Sequence, residues 1–432
     1  MSIGLVLITA VLGPASDALA ESPPTGPAPS VLPPVAVTGS TAPTPTPSGI
    51  ASVADATLKK AALGSFSAVV VDPATGTVLH ERQALRPRTP ASTLKLLTAA
   101  TALTVLDPQA RLVTRVVADD RTITLIGGGD STLTRTSRPR EGLASLSALA
   151  DAVAAQVQRG PVTLQIDASL FSGPTLGPGW PRSFPRDGVV APVTALMVDQ
   201  GRVRPGANAR VADPARQAGR VFAAMLRTRG VDVQRIATGT ASGGTEIARV
   251  ESPTIATLVQ RMLTDSDDDL AEALAHLSGA KANGSGSFAG GAKAMARVAG
   301  DLRLPTGTLE VVDGSGLSGQ NAVSTGLLAN LLVHVVTQAE PSVSLIGLGL
   351  PVAGFTGTLA DRFRVGSAQA GAGLVRAKTG TLTGVTSLAG TVVDVDGRML
   401  VFAVLANGVP SIPRARAALD AFSSRLAKCG CR

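Results

Sequence analysis

Patterned sequence begins at Ser65. Ser65–Asp72 (SFSAVVVD) is a largely apolar run that reads as a strand, and Thr77–Glu81 reads as a second strand. Pro73-Ala74-Thr75-Gly76 between them carries turn chemistry, so a strand–turn–strand hairpin is predicted. From Pro90 the pattern becomes ASTLKLLTAATALTVL, rich in Ala and Leu with few breakers. That predicts a buried helix, stopped by Asp107-Pro108. Between about 110 and 250 the signals are mixed: a short strand at Arg121–Ile126, a helix near Ser145–Gln158, and a Pro/Gly cluster over Gly173–Pro185. Ile255–Leu277 reads as helix, interrupted by the acidic stretch Asp265–Asp269, and Lys281–Gly291 reads as a flexible loop. Three more strands are predicted at Gly373–Thr381, Thr386–Asp394 and Met399–Ala406, the last two joined by a turn at Asp396-Gly397. A final helix runs from Pro413, with Ala415, Leu419, Phe422 and Leu426 on one face.

Strands with helices at both chain ends predict an α+β domain closed by its own termini. Its segments are 51–110 and 251–432, and 111–250 forms an inserted α+β subdomain. The first fifty residues differ. Ile3–Gly13 is apolar but too short to span a membrane, and Ala18-Leu19-Ala20 follows as a small-residue cleavage site. Residues 1–20 therefore read as a secretory signal peptide lacking its positive n-region, with a plain N-terminal tail as the alternative. Residues 21–50 hold nine prolines among Thr, Ser, Gly and Ala, which predicts an extended linker. Signal and spacer together predict export to the cell envelope, in a periplasm-like space or the wall. At the other end, Cys429 and Cys431 are too close in sequence to staple the fold, and a frayed tail is expected.

Composition narrows the chemistry. The 432 residues carry 39 Lys and Arg against 31 Asp and Glu, and no Tyr. With one Trp and nine Phe there are few rings for base stacking, so nucleic acid is disfavoured despite the net charge of +8. Three His and two Cys argue against a zinc site of those ligands, and no metal is expected. No serine stands in a G-x-S-x-G frame, and no phosphate-binding G-x-x-x-x-G-K-[ST] loop occurs.

Lysine can replace histidine as the partner of a serine. Ser-x-x-Lys at a helix start puts both side chains on one face, one turn apart, with the helix N-terminus to stabilise an alkoxide. Ser92-Thr93-Leu94-Lys95 opens the apolar helix and meets that requirement. The other pair, Ser278/Lys281, is split by Gly279 beside the expected loop and reads as chance. Lys378-Thr379-Gly380-Thr381 ends a predicted strand. There a lysine could attract a carboxylate, the hydroxyls could orient it, and Gly could admit a close approach. Taken alone, these four residues favour a plain solvent-facing hairpin. Ser266-Asp267-Asp268 stands between the two motifs, and its alternative reading is an acidic helix turn capped by Ser266.

S-x-x-K, S-D-N and K-T-G form one set in penicillin-binding proteins and class A β-lactamases. Here the order is Ser92, Ser266, Lys378, and the first gap of 266 − 92 = 174 residues is too long for a simple β-lactamase. Gly127-Gly128-Gly129-Asp130-Ser131-Thr132-Leu133, Asp313-Gly314-Ser315-Gly316-Leu317-Ser318, the LPVAGFTGTL segment from Leu350 and KTGTLTGVTSLAGTVVD sharpen the likeness. Over about Ala51–Arg425 the chain resembles the D-Ala-D-Ala carboxypeptidase/endopeptidase family. These are the class C low-molecular-mass penicillin-binding proteins of DacB type, here in an actinobacterial-like version.

The resemblance implies a transpeptidase-like domain with helices on an antiparallel sheet, acting on peptidoglycan stem peptides that end in D-Ala-D-Ala. It implies Ser92 as nucleophile, Lys95 as a neutral base, and Ser266 as proton relay to the leaving amine. Lys378, Thr379, Gly380 and Thr381 would hold the terminal carboxylate. The backbone N–H groups of Ser92 and Thr381 would form the oxyanion hole. β-Lactams are expected as covalent inhibitors, with no cofactor and no stable protein partner. Two departures stand out. Asp268 occupies the place of the family's Asn, and a carboxylate cannot donate to a substrate carbonyl unless protonated. The insertion is also shorter than is usual there. A catalytically weakened peptidoglycan-binding protein of the same fold, or less readily a β-lactamase, remains the alternative.

Overall fold

A computed structural model of the chain describes residues 41–432 apart from 60, 139–140, 158–159 and 432. The expected signal peptide and residues 21–40 of the expected linker lie outside the described residues. Among these, the strands in chain order are β1 (Ser65–Asp72), β2 (Thr77–Arg82), β3 (Arg111–Asp119), β4 (Thr122–Ile126), β5 (Pro161–Asp167), β6 (Asp232–Thr238), β7 (Thr245–Thr254), β8 (Val375–Leu382), β9 (Val385–Val393) and β10 (Met399–Asn407). They form two five-stranded sheets.

The first sheet has the order β2-β1-β10-β9-β8 and is antiparallel throughout. Its middle is a strand from each end of the chain, paired from Ser65↔Asn407 to Val71↔Val401. Successive side chains on a strand point to opposite faces. Leu400, Phe402 and Val404 of β10 join one core with Phe422 and Leu426 of the C-terminal helix Ile412–Ala427. Val401, Ala403 and Leu405 join the other, with Leu96, Leu103, Leu274 and Leu331 from helices on the opposite face. Burial on both faces is why these strands read as continuous apolar runs rather than alternating ones. Phe402 is fully buried, and burying such a ring contributes about 1.5–3 kcal/mol.

The second sheet, β6-β5-β4-β3-β7, is mixed: β4/β5 and β5/β6 run parallel, and β3 is antiparallel to both neighbours. Its outgoing strand β3 and returning strand β7 are paired with each other, Arg111 opposite Thr254. The helices Leu146–Ala154 and Pro214–Thr228 cover it through Leu149, Val153, Phe222 and Leu226.

Several boundaries differ from expectation. Residues Pro47–Ala54 form a helix with Ile50 fully buried, so the end of the expected linker already belongs to the folded body. The C-terminal tail is docked rather than frayed. Cys429 is buried and paired with Cys431, whose carbonyl accepts a hydrogen bond from Thr46 N at 2.6 Å. The loop expected over Lys281–Gly291 is mostly helical, since one helix runs to Asn283 and the next begins at Phe288. Gly290 and Gly291 explain the misreading. A Cβ on Gly290 would come within 1.9 Å of Ser285 O, and one on Gly291 within 2.8 Å of Ala275 O. These glycines serve close helix packing, which overrides their poor helix propensity.

Candidate active site

Ser92 lies in a single 3₁₀ turn, Ala91–Leu94, that leads into the helix Lys95–Val105. The turn is anchored from both sides. Thr93 Oγ1 and Ser387 Oγ of β9 both donate to Pro90 O at 2.7 Å, and Asn407 of β10 bonds the N–H and C=O of Thr89. Ala91 takes a positive φ of 49°, uncommon for a residue with a Cβ, and its carbonyl leaves no room for a side chain at Gly316. Lys95 is fully buried one turn on. Its Nζ donates to Ser92 Oγ at 3.0 Å, to Asp268 Oδ1 at 2.6 Å and to Ser315 O at 2.8 Å.

Ser266 and the three aspartates after it each have a separate task. Ser266 closes the helix Ile255–Asp265 in a left-handed conformation, and its Oγ accepts from Lys378 Nζ at 2.8 Å. Asp267, not Ser266, is the N-cap of the helix Asp268–Asn283. It accepts from Leu270 N at 3.0 Å and from Gln200 Nε2 at 2.8 Å. Asp268 pairs with Lys95. Asp269 accepts from Ala191 N at 2.7 Å and pairs with Arg210 at 3.2 Å, and burial, then the neighbouring Asp267 charge, pushes it up to about 7.

The K-T-G-T residues lie on β8, the edge strand of the first sheet. The backbone of residues 351–353 bonds Val375 and Ala377, and the strand's outer edge beyond them carries Lys378 to Leu382. A Cβ on Gly380 would come within 2.1 Å of Ser387 Oγ and 2.8 Å of Pro90 O, so glycine is what lets the edge strand abut the turn holding Ser92. Lys378 was expected to supply charge to a carboxylate at that edge. It is instead fully buried, with Nζ on Ser266 Oγ and on Thr379 O at 2.9 Å. Burial, then the nearby charge of Lys95, holds its ammonium well below the ordinary lysine value, while Asp268 acts in the opposite sense. Thr379 Oγ1 donates to Thr358 Oγ1 at 2.8 Å, and Thr381 Oγ1 accepts from Arg416 Nη2 at 2.9 Å.

Supporting groups were missed in the sequence. Ser315 offers its carbonyl to Lys95 from the 313–318 loop, and that loop is wired from beneath. Glu272 accepts from Gly314 N at 3.0 Å and Ser315 N at 2.7 Å. Asp313 accepts from Trp180 Nε1, Asn321 Nδ2, Gly316 N and Ser318 N. The DGSGLS string was the available signal; its partners are remote in the chain, Glu272 lying 42 residues before Gly314 and Trp180 lying 133 before Asp313. His276 packs among Phe171 and Phe288, and burial pushes it down to about 4, a neutral core residue and no rival base. Ser278, set aside with Lys281 as chance, bonds Leu274 O inside its helix.

A serine contacted by a buried lysine, a second hydroxyl–lysine pair, and an edge strand against the turn that holds the serine are the parts that a serine peptidase with a lysine partner requires. The model of the D-Ala-D-Ala carboxypeptidase 3 (S13) family matches residues 50–209 and 204–428, and the chain belongs to this family of serine-type D-Ala-D-Ala carboxypeptidases. It is 36% identical to carboxypeptidase DacB of Mycolicibacterium smegmatis, covering 99% of this chain and 96% of that one. It is 34% identical to carboxypeptidase Rv3627c of Mycobacterium tuberculosis, covering 95% and 90%. In fold it is similar to penicillin-binding protein 4 (dacB) of Haemophilus influenzae, with a TM-score of 0.74 at 20% identity over 88% of this chain and 99% of that one.

Proposed function

We propose that the protein removes the terminal D-alanine from peptidoglycan stem peptides ending in D-Ala-D-Ala, through an acyl-enzyme on Ser92. The observation that carries this reading is the 3.0 Å contact of Lys95 Nζ with Ser92 Oγ at the mouth of a buried helix. As a neutral amine, Lys95 takes the Ser92 proton while Oγ attacks the carbonyl of the penultimate D-alanine. The N–H groups of Ser92 and Thr381 receive the oxyanion. Ser266, its hydroxyl held by Lys378, passes a proton to the leaving amine, and D-alanine departs. Lys95 passes its proton to Ser266; water then attacks the ester, giving a proton to Lys95, which passes it to Ser92 Oγ as the ester bond breaks. Thr379 and Thr381 present hydroxyls to the terminal carboxylate, Gly380 keeps the strand edge against the Ser92 turn, and Asp268 faces the substrate carbonyl. β-Lactams acylate Ser92 by the same attack on the ring amide, and no metal or cofactor takes part.

Segments 51–110 and 251–432 form the catalytic body in this reading, with 111–250 as the insert. The same ester can form from a cross-linked stem, so endopeptidase action belongs to the proposal. The enzyme works outside the cytoplasm, delivered by residues 1–20. Purified protein with an L-Ala-D-Glu-L-Lys-D-Ala-D-Ala-type pentapeptide should release one D-alanine per peptide, and cleavage of a cross-linked dimer tests the endopeptidase action. Release of no D-alanine by protein that is folded and lacks inhibitor would defeat the reading. Fractionation of tagged full-length protein tests export, and purely cytosolic protein would contradict it.

A further inference from the structure

The terminal carboxylate needs a cation, and the lysine of the K-T-G motif is poorly placed to be it. Its Nζ is buried and engaged by Ser266 Oγ and Thr379 O. Along β8, Lys378 and Gly380 share one side and Thr379 and Thr381 the other, as strand alternation requires. The side that carries the threonine hydroxyls has its own cation. Arg416, on the second turn of the C-terminal helix Ile412–Ala427, is exposed and sets Nη2 at 2.9 Å from Thr381 Oγ1. Among the described residues it has no ion-pair partner. Asp420, one turn further on, feels its charge but is gripped through both oxygens by Arg362.

We propose that Arg416 is a substrate-specificity residue that binds the C-terminal carboxylate of the peptide together with Thr381. A guanidinium offers several N–H donors in a planar fork, so the one on Thr381 leaves others for a carboxylate. The helix that carries it packs the adjoining face on the sheet through Ala415, Leu419, Phe422 and Leu426, which holds the arginine beside the strand edge. Free-acid peptides are therefore preferred to their carboxamides, in which the negative charge is gone.

This inference rests on the carboxypeptidase reading of the same site, and the test separates the two. Wild type, Arg416→Met and Arg416→Lys are compared on a D-Ala-D-Ala peptide and on the same peptide ending in a carboxamide, with release of the C-terminal residue as readout. Arg416→Met should lower kcat/KM on the free acid by about ten- to a hundredfold, the loss of one charge-assisted bond. It should change the carboxamide rate by less than about twofold, since that substrate never used the charge. Arg416→Lys should recover part of the loss. Equal losses on both substrates would mean a merely structural residue. Unchanged turnover of the free acid by Arg416→Met, with wild type active, would overturn the inference while leaving the carboxypeptidase reading intact. An inactive wild type would overturn both.

Discussion

Replacing Asp268 by Asn is the perturbation that bears most directly on what distinguishes this site. Lys95 Nζ has three acceptors around it, at 3.0 Å on Ser92, 2.6 Å on Asp268 and 2.8 Å on Ser315, a set that suits an ammonium with three donors. The base in the proposed mechanism is the amine, which has two donors and needs its lone pair toward Ser92. At an effective dielectric of about 20, charges at this separation attract by about 6 kcal/mol, most of it offset by desolvating a buried lysine. The net hold is that of a charge-assisted hydrogen bond, about 1.5–3 kcal/mol, against about 1 kcal/mol for a neutral one. Asp268→Asn keeps an oxygen on Lys95 and removes the difference, about 1–2 kcal/mol, which is roughly tenfold in rate. The amide also supplies a donor toward the substrate carbonyl, where the carboxylate offers only an acceptor, worth about one further hydrogen bond. Acylation by benzylpenicillin and kcat/KM on a D-Ala-D-Ala peptide should therefore rise, by about tenfold if one effect operates and toward a hundredfold if both do. Stopped-flow acylation and D-alanine release measure the two separately. Unchanged rates in both assays would refute the reasoning, because Asp268 would then neither restrain the lysine nor face the substrate.

Ser92→Ala and Lys95→Ala should each abolish penicillin acylation, with the double variant hardly worse, because the two act as one unit. Full acylation of Lys95→Ala would remove lysine as the base. Gly380→Ala places a Cβ within 2.1 Å of Ser387 Oγ and should lower Tm, at a cost of about 1–3 kcal/mol, and slow acylation by displacing the edge strand. A wild-type melting curve and acylation rate would contradict the packing described. Glu272 is pushed up to about 8 by burial and by Asp313. Its folded value is raised, so the stability it contributes is present below its ordinary 4.5 and is lost as pH rises through about 8. Between about pH 5 and 8, Tm of Glu272→Gln should fall less than that of wild type, and parallel curves would show that Glu272 does not titrate in this window.

What could be read from the sequence was what local pattern and short motifs encode. β1 and β2 were found within a residue because Pro73-Ala74-Thr75-Gly76 marks the turn between them, and the final helix by the spacing of Ala415 to Leu426. Ser92 and Lys95 were legible together because one helical turn joins them. Pairings that cross the chain were not. Nothing near Asp267 announces that Gln200 will meet it, and nothing near Thr381 announces Arg416, 35 residues on. The acidic run admitted an alternative reading as one solvated turn because charge alone does not reveal that Asp267, Asp268 and Asp269 each face a different basic or amide side chain. Gly290 and Gly291 hid a helix because their tight packing against Ser285 and Ala275 is a tertiary demand.

An acyl-enzyme on Ser92 is the central claim, and intact-protein mass spectrometry after incubation with benzylpenicillin tests it most directly. The protein should gain the mass of one penicillin molecule, with the adduct mapped to the peptide containing Ser92 and absent from Ser92→Ala. An unmodified mass for folded wild-type protein, or an adduct on another residue that persists in Ser92→Ala, would contradict it.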